Sequence, residues 1–167
     1  MSGMHSLNGE LDSQSRFRRR RSRSSFLEID SWMPSTIQDI SPSVDRLMRL
    51  IEGSHCVPGK ELDVELALRE ALGNAVVHGN HEDPEKEVHI HCCCEPGNEI
   101  SIVVTDQGKG FDVGKAVGNC LALDPAAEHG RGILLMKAFM DDVHFERGGT
   151  EVHMRKRAQN WSRQGPG

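Results

Sequence analysis

The order of apolar and polar residues along the chain predicts most of its helices and strands. Residues 61–79 carry apolar side chains every three or four positions, which is the spacing of one helix face. The members of this stripe are Val64, Leu68, Ala71, Leu72 and Ala75. Residues 43–53 have the same spacing and predict a second helix, with Ser41 or Ser43 as its N-cap around Pro42.

Alternation of apolar and polar residues predicts the strands. Residues 87–95 and 99–105 alternate on either side of a Pro-Gly-Asn turn at 96–98, which is typical of a β-hairpin. Residues 25–35 alternate more weakly, and Pro34 would end such a segment. We therefore expect an edge strand there.

The C-terminal third predicts one more helix and a second hairpin. Residues 132–140 return to helical spacing, and residues 142–147 and 150–155 flank a Gly-Gly turn. Residues 108–130 have little periodicity. An irregular stretch of this length inside a small domain usually forms a functional loop or lid.

Length and charge indicate one globular domain with a basic tail. The chain has 167 residues and a net charge of −5. Six arginines between positions 16 and 23 contribute +6, so the remaining residues carry a net charge of −11. We predict a disordered basic tail at 1–24, a globular domain at 25–157 and a C-terminal tail at 158–167. An acidic domain repels nucleic acid, so we expect no specific nucleic-acid partner.

Cysteine usage and the absence of a long apolar run favour a cytoplasmic protein. No apolar segment approaches the roughly 20 residues of a membrane helix, and the arginine run precedes no signal-peptide core. The five cysteines, three of them adjacent, are a poor disulfide framework. His89, His91 and Cys93 share one strand face, more often a polar face than a metal site, whereas Cys92 and Cys94 point to the core side.

Glu70 and Asn74 form the first candidate functional pair. They stand four residues apart and therefore share one face of the long helix. An amide oxygen is a suitable Mg²⁺ ligand, and a carboxylate can accept a proton from a nucleophile. By themselves, both residues are better explained as solvent-exposed polar side chains.

Asp106, Gly108 and Gly110 follow directly on a predicted strand. An aspartate at a strand end can accept a hydrogen bond from an exocyclic amine, and glycines let a backbone approach a ligand closely. The segment matches neither a P-loop nor a dinucleotide fingerprint. An ordinary Asp-Gly turn remains an alternative.

Gly130, Arg131 and Gly132 precede the predicted helix at 132–140. Backbone amides at a helix N-terminus bind phosphate oxygens, and an arginine adds positive charge. A flexible turn with a capping glycine is the alternative interpretation.

The order of these motifs resembles the GHKL ATPase superfamily of gyrase, histidine kinases and MutL. The similarity covers about residues 26–157. It rests on four stretches, ELALREALGNAVVHGN at 65–80, VVTDQGKGFD at 103–112, HGRGILLMKAFMDDV at 129–143 and GTEVHMRK at 149–156. Within the superfamily the sequence is most similar to the anti-sigma-factor serine kinases of the RsbW and SpoIIAB type.

The resemblance implies a fold and a set of residue roles. The fold would be α+β, a two-layer sandwich of a mixed, mainly antiparallel sheet with helices on one face, binding ATP and Mg²⁺ under a lid at 112–129. Glu70 corresponds to the general base, Asn74 to the magnesium ligand and Asp106 to the adenine partner. Gly108 and Gly110 correspond to the adenine-side glycines. Gly130, Arg131 and Gly132 correspond to the phosphate-facing loop, and Thr150 corresponds to a strand threonine near the adenine.

The resemblance also implies an activity and partners. The chain would be a protein serine kinase and anti-sigma factor that phosphorylates an anti-anti-sigma protein, sequesters a sigma factor and forms a homodimer. A second hypothesis is a non-catalytic module in which bound ATP shapes the lid and gates a protein partner. A third is a regulator tethered to nucleic acid through the arginine tail.

Overall fold

In the part of the chain that the structure describes, a six-stranded sheet forms one layer of the fold and four helices form the other. The computed structural model describes residues 16–21, 26–121 and 130–159. The strands are β1 (Phe17–Arg21), β2 (Leu27–Pro34), β3 (Glu87–Glu95), β4 (Glu99–Thr105), β5 (Asp142–Glu146) and β6 (Glu151–Arg157). The helices are α1 (Ile37–Gly53), α2 (Glu61–Gly73), α3 (Val113–Leu121) and α4 (Gly130–Phe139).

The strands follow the order β1-β2-β3-β4-β6-β5, and each neighbouring pair is antiparallel. This confirms the predicted α+β fold, although no parallel pairing occurs among the described strands. Burial alternates along β2, β3 and β4. Ile29, Ile90 and Ile102 are fully buried under the helices, and the residues between them form the opposite, polar face.

Both predicted hairpins are present. β3 and β4 have the bounds that the alternation predicts, and Gly97 in their connecting turn has a φ of +72°, which favours glycine. A 3₁₀ turn at Arg147–Gly149 joins β5 to β6. The hairpin prediction succeeds because these strands have one buried face and one polar face.

The N-terminal part of the sheet differs from the prediction. Phe17–Arg21 was expected in the disordered tail, but it forms β1 and pairs with β2, so β2 is not an edge strand. The Arg16 guanidinium carbon lies 5.2 Å from the centroid of the Trp32 ring, and Arg16 Nη2 donates a hydrogen bond to Glu87 Oε2 at 2.7 Å. The rest of the predicted tail, residues 1–15 and 22–24, lies outside the described residues, as do 160–167.

Helix α1 begins six residues before the predicted start. Thr36 is the N-cap residue, and Pro42 lies inside the helix, so the N-cap prediction at Ser41 or Ser43 is wrong. Pro42 is the sixth residue of α1, so it removes an amide that would otherwise donate to the carbonyl four residues earlier, and the helix continues past it. Asp39 in the first turn also stabilises the N-terminus.

The long predicted helix is present but changes its winding. It runs as α2 to Gly73 and continues as a π-helical turn over Asn74–Gly79, which ends with Asn80 N–H donating to Ala75 O at 2.8 Å. π-Turns are rare, and they occur often at functional sites because they shift side chains out of the regular helical rows.

Among the described residues the cysteines form one disulfide, which the expectation of a poor disulfide framework did not anticipate. Cys56, in the loop between α1 and α2, is bonded to Cys94 on β3, with a Cα–Cα distance of 5.5 Å. Cys92 is fully buried, and burial raises the pKa of its thiol to about 12. Among the described residues, no helix is long and apolar enough to cross a membrane.

Candidate nucleotide-binding site

A pocket lies between the helix layer and the sheet, beside the π-turn. It encloses about 510 Å³ of space, measured out to its open mouth. Residues from α2, the π-turn, β4, α4 and the β5–β6 hairpin line it: Ala71, Asn74, Ala75, His78, Gly79, Val104, Asp106, Gly110, Phe111, Met136, Phe145, Gly149, Thr150 and Val152. The pocket therefore brings together four predicted site residues, namely Asn74, Asp106, Gly110 and Thr150.

Asp106 lines the pocket and lies directly after β4. Its backbone N–H donates to Thr150 O at 2.9 Å, and its Oδ1 accepts the Gly108 N–H at 2.7 Å. Burial raises the pKa of this carboxyl, and the Gly108 hydrogen bond and the charges of Lys86 and His81 offset part of the increase. The side chain is a fixed acceptor in a partly desolvated position.

Gly79 explains why Asp106 fits this position. A Cβ on Gly79 would overlap the Asp106 carboxylate. The end of the π-turn thus comes into direct contact with the end of β4, and only glycine permits this contact.

The glycines after Asp106 also permit close contacts between backbone segments. A Cβ on Gly108 would overlap Gly79 O, and a Cβ on Gly110, whose φ is +76°, would overlap Gly148 O. These glycines allow backbone segments to approach each other, and Phe111 N–H donates to Gly148 O at 2.9 Å. Gly110 alone of the two lines the pocket.

Asn80 is a site-supporting residue that the sequence reasoning missed. Its side chain is fully buried, its Oδ1 accepts the Gln107 N–H at 2.8 Å and its Nδ2 donates to Glu87 O at 3.1 Å. It therefore ties the end of the π-turn to the loop that carries Asp106 and to the start of β3. An asparagine directly after the helix glycine was its only signal in the sequence.

Glu70, Asn74 and Gly132 lie together at the margin of the pocket. A Cβ on Gly132 would lie 3.0 Å from Glu70 Oε2, 3.1 Å from Asn74 Nδ2 and 3.2 Å from Asn74 Oδ1. Glu70 and Gly132 do not line the pocket themselves but adjoin Asn74 at its margin. Helices α2 and α4 thus place a carboxylate, an amide and a helix N-terminus side by side.

Gly130, Arg131 and Gly132 form the first turn of α4 and not a separate loop. The backbone N–H groups of a first helical turn have no acceptor within the helix, so they can bind an anion. Gly130 is buried, whereas the Arg131 side chain is exposed and does not line the pocket. The three residues therefore offer backbone amides more directly than the arginine charge.

Part of the predicted lid is regular. Val113–Leu121 forms α3, which packs against α4, although the sequence predicted an irregular segment. Asp112 caps this helix by accepting the Lys115 N–H at 2.9 Å. Residues 122–129 of the predicted lid lie outside the described residues.

The pocket wall is apolar on the hairpin side. Phe111 and Phe145 meet edge to face with ring centroids 5.7 Å apart. Thr150 lies beside them, and its Oγ1 donates to Arg147 O at 3.0 Å. An apolar slot that ends in one fixed carboxylate suits a flat heteroaromatic ring with an exocyclic amine.

Comparison with known proteins assigns the fold to a family. Residues 33–156 match the histidine kinase-like ATPase domain. The chain is 31% identical over 99 residues to the anti-sigma F factor of Oceanobacillus iheyensis, which covers 56% of this chain and 67% of that protein. It is 34% identical over 102 residues to the anti-sigma F factor of Clostridium botulinum strain Eklund 17B, which covers 57% and 69%.

These matches confirm the family that the sequence motifs predicted. An ATPase domain implies that the chain binds ATP. The chain therefore belongs to the histidine kinase-like ATPase family, on the branch that contains the anti-sigma F factors.

Proposed function

We propose that this protein is an ATP-dependent serine kinase that phosphorylates an anti-anti-sigma protein and also sequesters a sigma factor. The observation that carries the proposal is the contact of Gly132 with Glu70 and Asn74, at the margin of a pocket that Asp106 also lines. In this proposal one helical segment provides the base and the metal ligand, α4 provides the phosphate-binding amides, and the end of β4 provides the adenine partner.

Adenine binds in the pocket beside Asp106 in this proposal. The Asp106 carboxylate accepts a hydrogen bond from the exocyclic amine, and Phe111, Phe145 and Val104 pack near the ring. Gly79 and Asn80 hold Asp106 in place, so little rearrangement accompanies binding.

The phosphates extend towards Asn74 and α4. The amides of Gly130, Arg131 and Gly132 donate to phosphate oxygens at the helix N-terminus. The Asn74 amide and the adjoining Glu70 carboxylate are hard oxygen donors, which suits Mg²⁺, and Asn74 would hold the ion together with phosphate oxygens. When bound, Mg²⁺ neutralises the charge that develops on the transferred phosphoryl group.

Glu70 acts as the general base. Its carboxylate is half-buried beside the N-terminus of α4, where it can accept the proton of the attacking serine hydroxyl. The serine oxygen then forms a bond to the γ-phosphorus while the bond to the β-phosphate oxygen breaks, which leaves ADP and a phosphoserine.

The protein partners follow from the relatives and the sequence motifs. Two proteins named anti-sigma F factor are 31% and 34% identical to this chain over 99 and 102 aligned residues. The sigma factor, the anti-anti-sigma substrate and a homodimer are therefore parts of the proposal, together with a role in transcription regulation in the cytoplasm.

The test is phosphotransfer by the purified full-length chain. We would incubate it with radiolabelled ATP, Mg²⁺ and a lysate of its own organism, and we expect one small protein labelled on serine. The Glu70→Ala variant should bind ATP normally but label nothing. The control is Glu65→Ala. This variant removes another carboxylate of the same helix, one that pairs with Arg69 at 2.8 Å, and it should still label the substrate.

Two outcomes would overturn the proposal. Labelling by Glu70→Ala at the rate of the unmodified chain would remove Glu70 as the base. An unmodified chain that binds ATP but labels no protein would favour the non-catalytic module in which ATP gates a partner.

A further inference from the structure

Four polar residues form a compact cluster on the outer face of the β5–β6 hairpin. His144 lies directly opposite His153, and Glu146 lies directly opposite Glu151. Residues two apart on a strand share a face, so all four side chains stand on the side of the sheet away from the helices. We call His144, Glu146, Glu151 and His153 the hairpin cluster.

The potential ligand atoms of this cluster lie close enough together to converge on a metal ion. One ligand atom from each of His144, Glu146 and His153 lies within 4.8 Å of the others. Glu146 is 3.5 Å from His144 Nε2 and 3.6 Å from His153 Nε2, and Glu151 Oε1 is 2.7 Å from His153 Nε2. Zn²⁺ holds its ligands at about 2.0–2.2 Å, which places neighbouring ligand atoms roughly 3.3 Å apart.

The two imidazole rings are already arranged in parallel. The rings of His144 and His153 stack with centroids 4.7 Å apart and an interplanar angle of 12°. The stacked rings point both Nε2 atoms towards the glutamates. The ligand atoms lie within 4.8 Å of one another, so binding an ion would require side-chain shifts of about 1 Å and rotation of at least one ring, with no change in strand register.

The charges of the cluster also favour a cation. Two glutamates directly opposite each other on neighbouring strands repel one another. Glu151 accepts a hydrogen bond from Thr105 Oγ1 at 3.2 Å and forms an ion pair with Arg147 at 3.5 Å. Glu146 faces the two histidines. The adjacent Arg155 already pairs with Asp142 at 3.1 Å, so it does not neutralise the glutamates.

We propose that the hairpin cluster binds a divalent transition-metal ion of the zinc type through His144, Glu146 and His153, with Glu151 as an adjacent carboxylate ligand. Two imidazoles with carboxylates select Zn²⁺, Ni²⁺ or Cu²⁺ over Mg²⁺. Val152 and Phe145 point to the opposite side of the same strands and line the nucleotide pocket. The metal site is therefore separate from the proposed Mg²⁺ position at Asn74.

The site has a structural consequence for the hairpin. The Arg147–Gly149 turn connects β5 to β6, and Gly149 and Thr150 line the pocket. An ion held by both strands joins them at the base of this turn. Metal binding should therefore stabilise the hairpin and raise the melting temperature of the whole domain.

The test is calorimetric titration of the untagged full-length chain with Zn²⁺ alone, without nucleotide. We expect one ion per chain, with affinity that falls at lower pH because protons compete for the histidines. His144→Ala and His153→Ala should each weaken binding at least about tenfold. Glu146→Gln, which keeps the shape of the side chain, should also weaken it.

His91→Ala is the matched control, since His91 stands on the same sheet face, in the same cross-strand row, but bonds Asp30 at 3.0 Å. It should leave Zn²⁺ affinity unchanged. Thermal unfolding without metal checks that each variant folds. Equal Zn²⁺ affinity in the folded His144→Ala variant, or loss of binding in Cys93→Ser instead, would overturn the proposal.

Discussion

Gly132 in the first turn of α4 packs directly against Glu70 of α2, with its Cβ position 3.0 Å from Glu70 Oε2. The contact explains why a glycine stands inside a helix, where it costs about 1 kcal/mol relative to alanine. The backbone of α4 approaches the carboxylate and the adjoining Asn74 as closely as packing allows. The distance between the proposed base and the phosphate-binding amides therefore depends on the absence of a side chain at this position.

Gly132→Ala should lower the phosphotransfer activity while changing the stability of the fold very little. The added methyl would displace Glu70 or Asn74 by a few tenths of an ångström, while alanine favours the helix by up to about 1 kcal/mol. We expect the free energy of unfolding to change by less than about 1 kcal/mol and phosphotransfer to fall at least about tenfold. Denaturant unfolding and labelling of the substrate protein measure the two effects.

Gly73→Ala is the matched control, because Gly73 also lies in a helix, next to Asn74, but nothing stands within 4 Å of its Cβ position. This variant should be more stable by about 0.5–1 kcal/mol and should retain full activity. Equal loss of activity in both variants would show that the contact between Gly132 and Glu70 has no special role.

Asp106→Asn should weaken ATP binding and reduce selectivity for adenine. The variant keeps an oxygen for the Gly108 N–H but presents an amide donor towards the exocyclic amine. Loss of a hydrogen bond to a charged group costs about 1.5–3 kcal/mol, which is roughly 10- to 100-fold in affinity. Because guanine carries an acceptor at this position, the preference for ATP over GTP should shrink.

Calorimetry with each nucleotide measures these affinities, and Asp83→Asn serves as the control. Asp83 caps a turn by accepting the Glu85 N–H at 3.0 Å and does not line the pocket. Unchanged ATP affinity in Asp106→Asn would show that Asp106 does not bind the base.

Residue patterns predicted the central strands and the long helix because these elements bury one face. In β3 and β4 the alternation follows burial at each position, so the bounds of both strands could be predicted. β1 could not be predicted in this way. Its arginines contribute little to a core, and it joins the sheet through backbone hydrogen bonds to β2, which leave no trace in the side-chain pattern.

The candidate site could be predicted only in part, because the contacts that assemble it also leave no trace in the side-chain pattern. Motif order identified Asn74, Asp106 and Gly132, but it did not show which of them touch each other. The contacts of Gly79 with Asp106 and of Asn80 with Gln107 join segments 27 residues apart. They depend on the π-turn, which no local pattern of apolar residues specifies.

Asn80→Ala should destabilise the protein, although the sequence motifs assign no functional role to Asn80. The substitution leaves the Gln107 N–H and Glu87 O without their partner. We expect a loss of about 2–3 kcal/mol in the free energy of unfolding, with weaker ATP binding because the Asp106 loop loosens. Asn98→Ala in the exposed β3–β4 turn is the control and should cost less than about 0.5 kcal/mol.

Asp30 should make the stability of the sheet depend on pH. Its Oδ1 accepts hydrogen bonds from His89 Nε2 and His91 Nδ1, both at 3.0 Å. Burial alone would raise the pKa of Asp30, but the hydrogen bonds and charges of the two histidines outweigh it and hold the pKa below the ordinary value of 3.8. The ionised form is therefore the one that stabilises the fold.

A carboxyl whose pKa is lower in the folded state contributes its full stabilisation above the unfolded value and loses it as the pH falls through the folded value. Asp30→Asn should therefore cost about 0.5–1 kcal/mol near neutral pH, since the group is partly exposed. The difference should shrink as the pH falls below 3.8. Urea unfolding of both proteins across this range measures it, and a difference that stays constant down to the lowest pH would show that the ionised Asp30 does not stabilise the sheet.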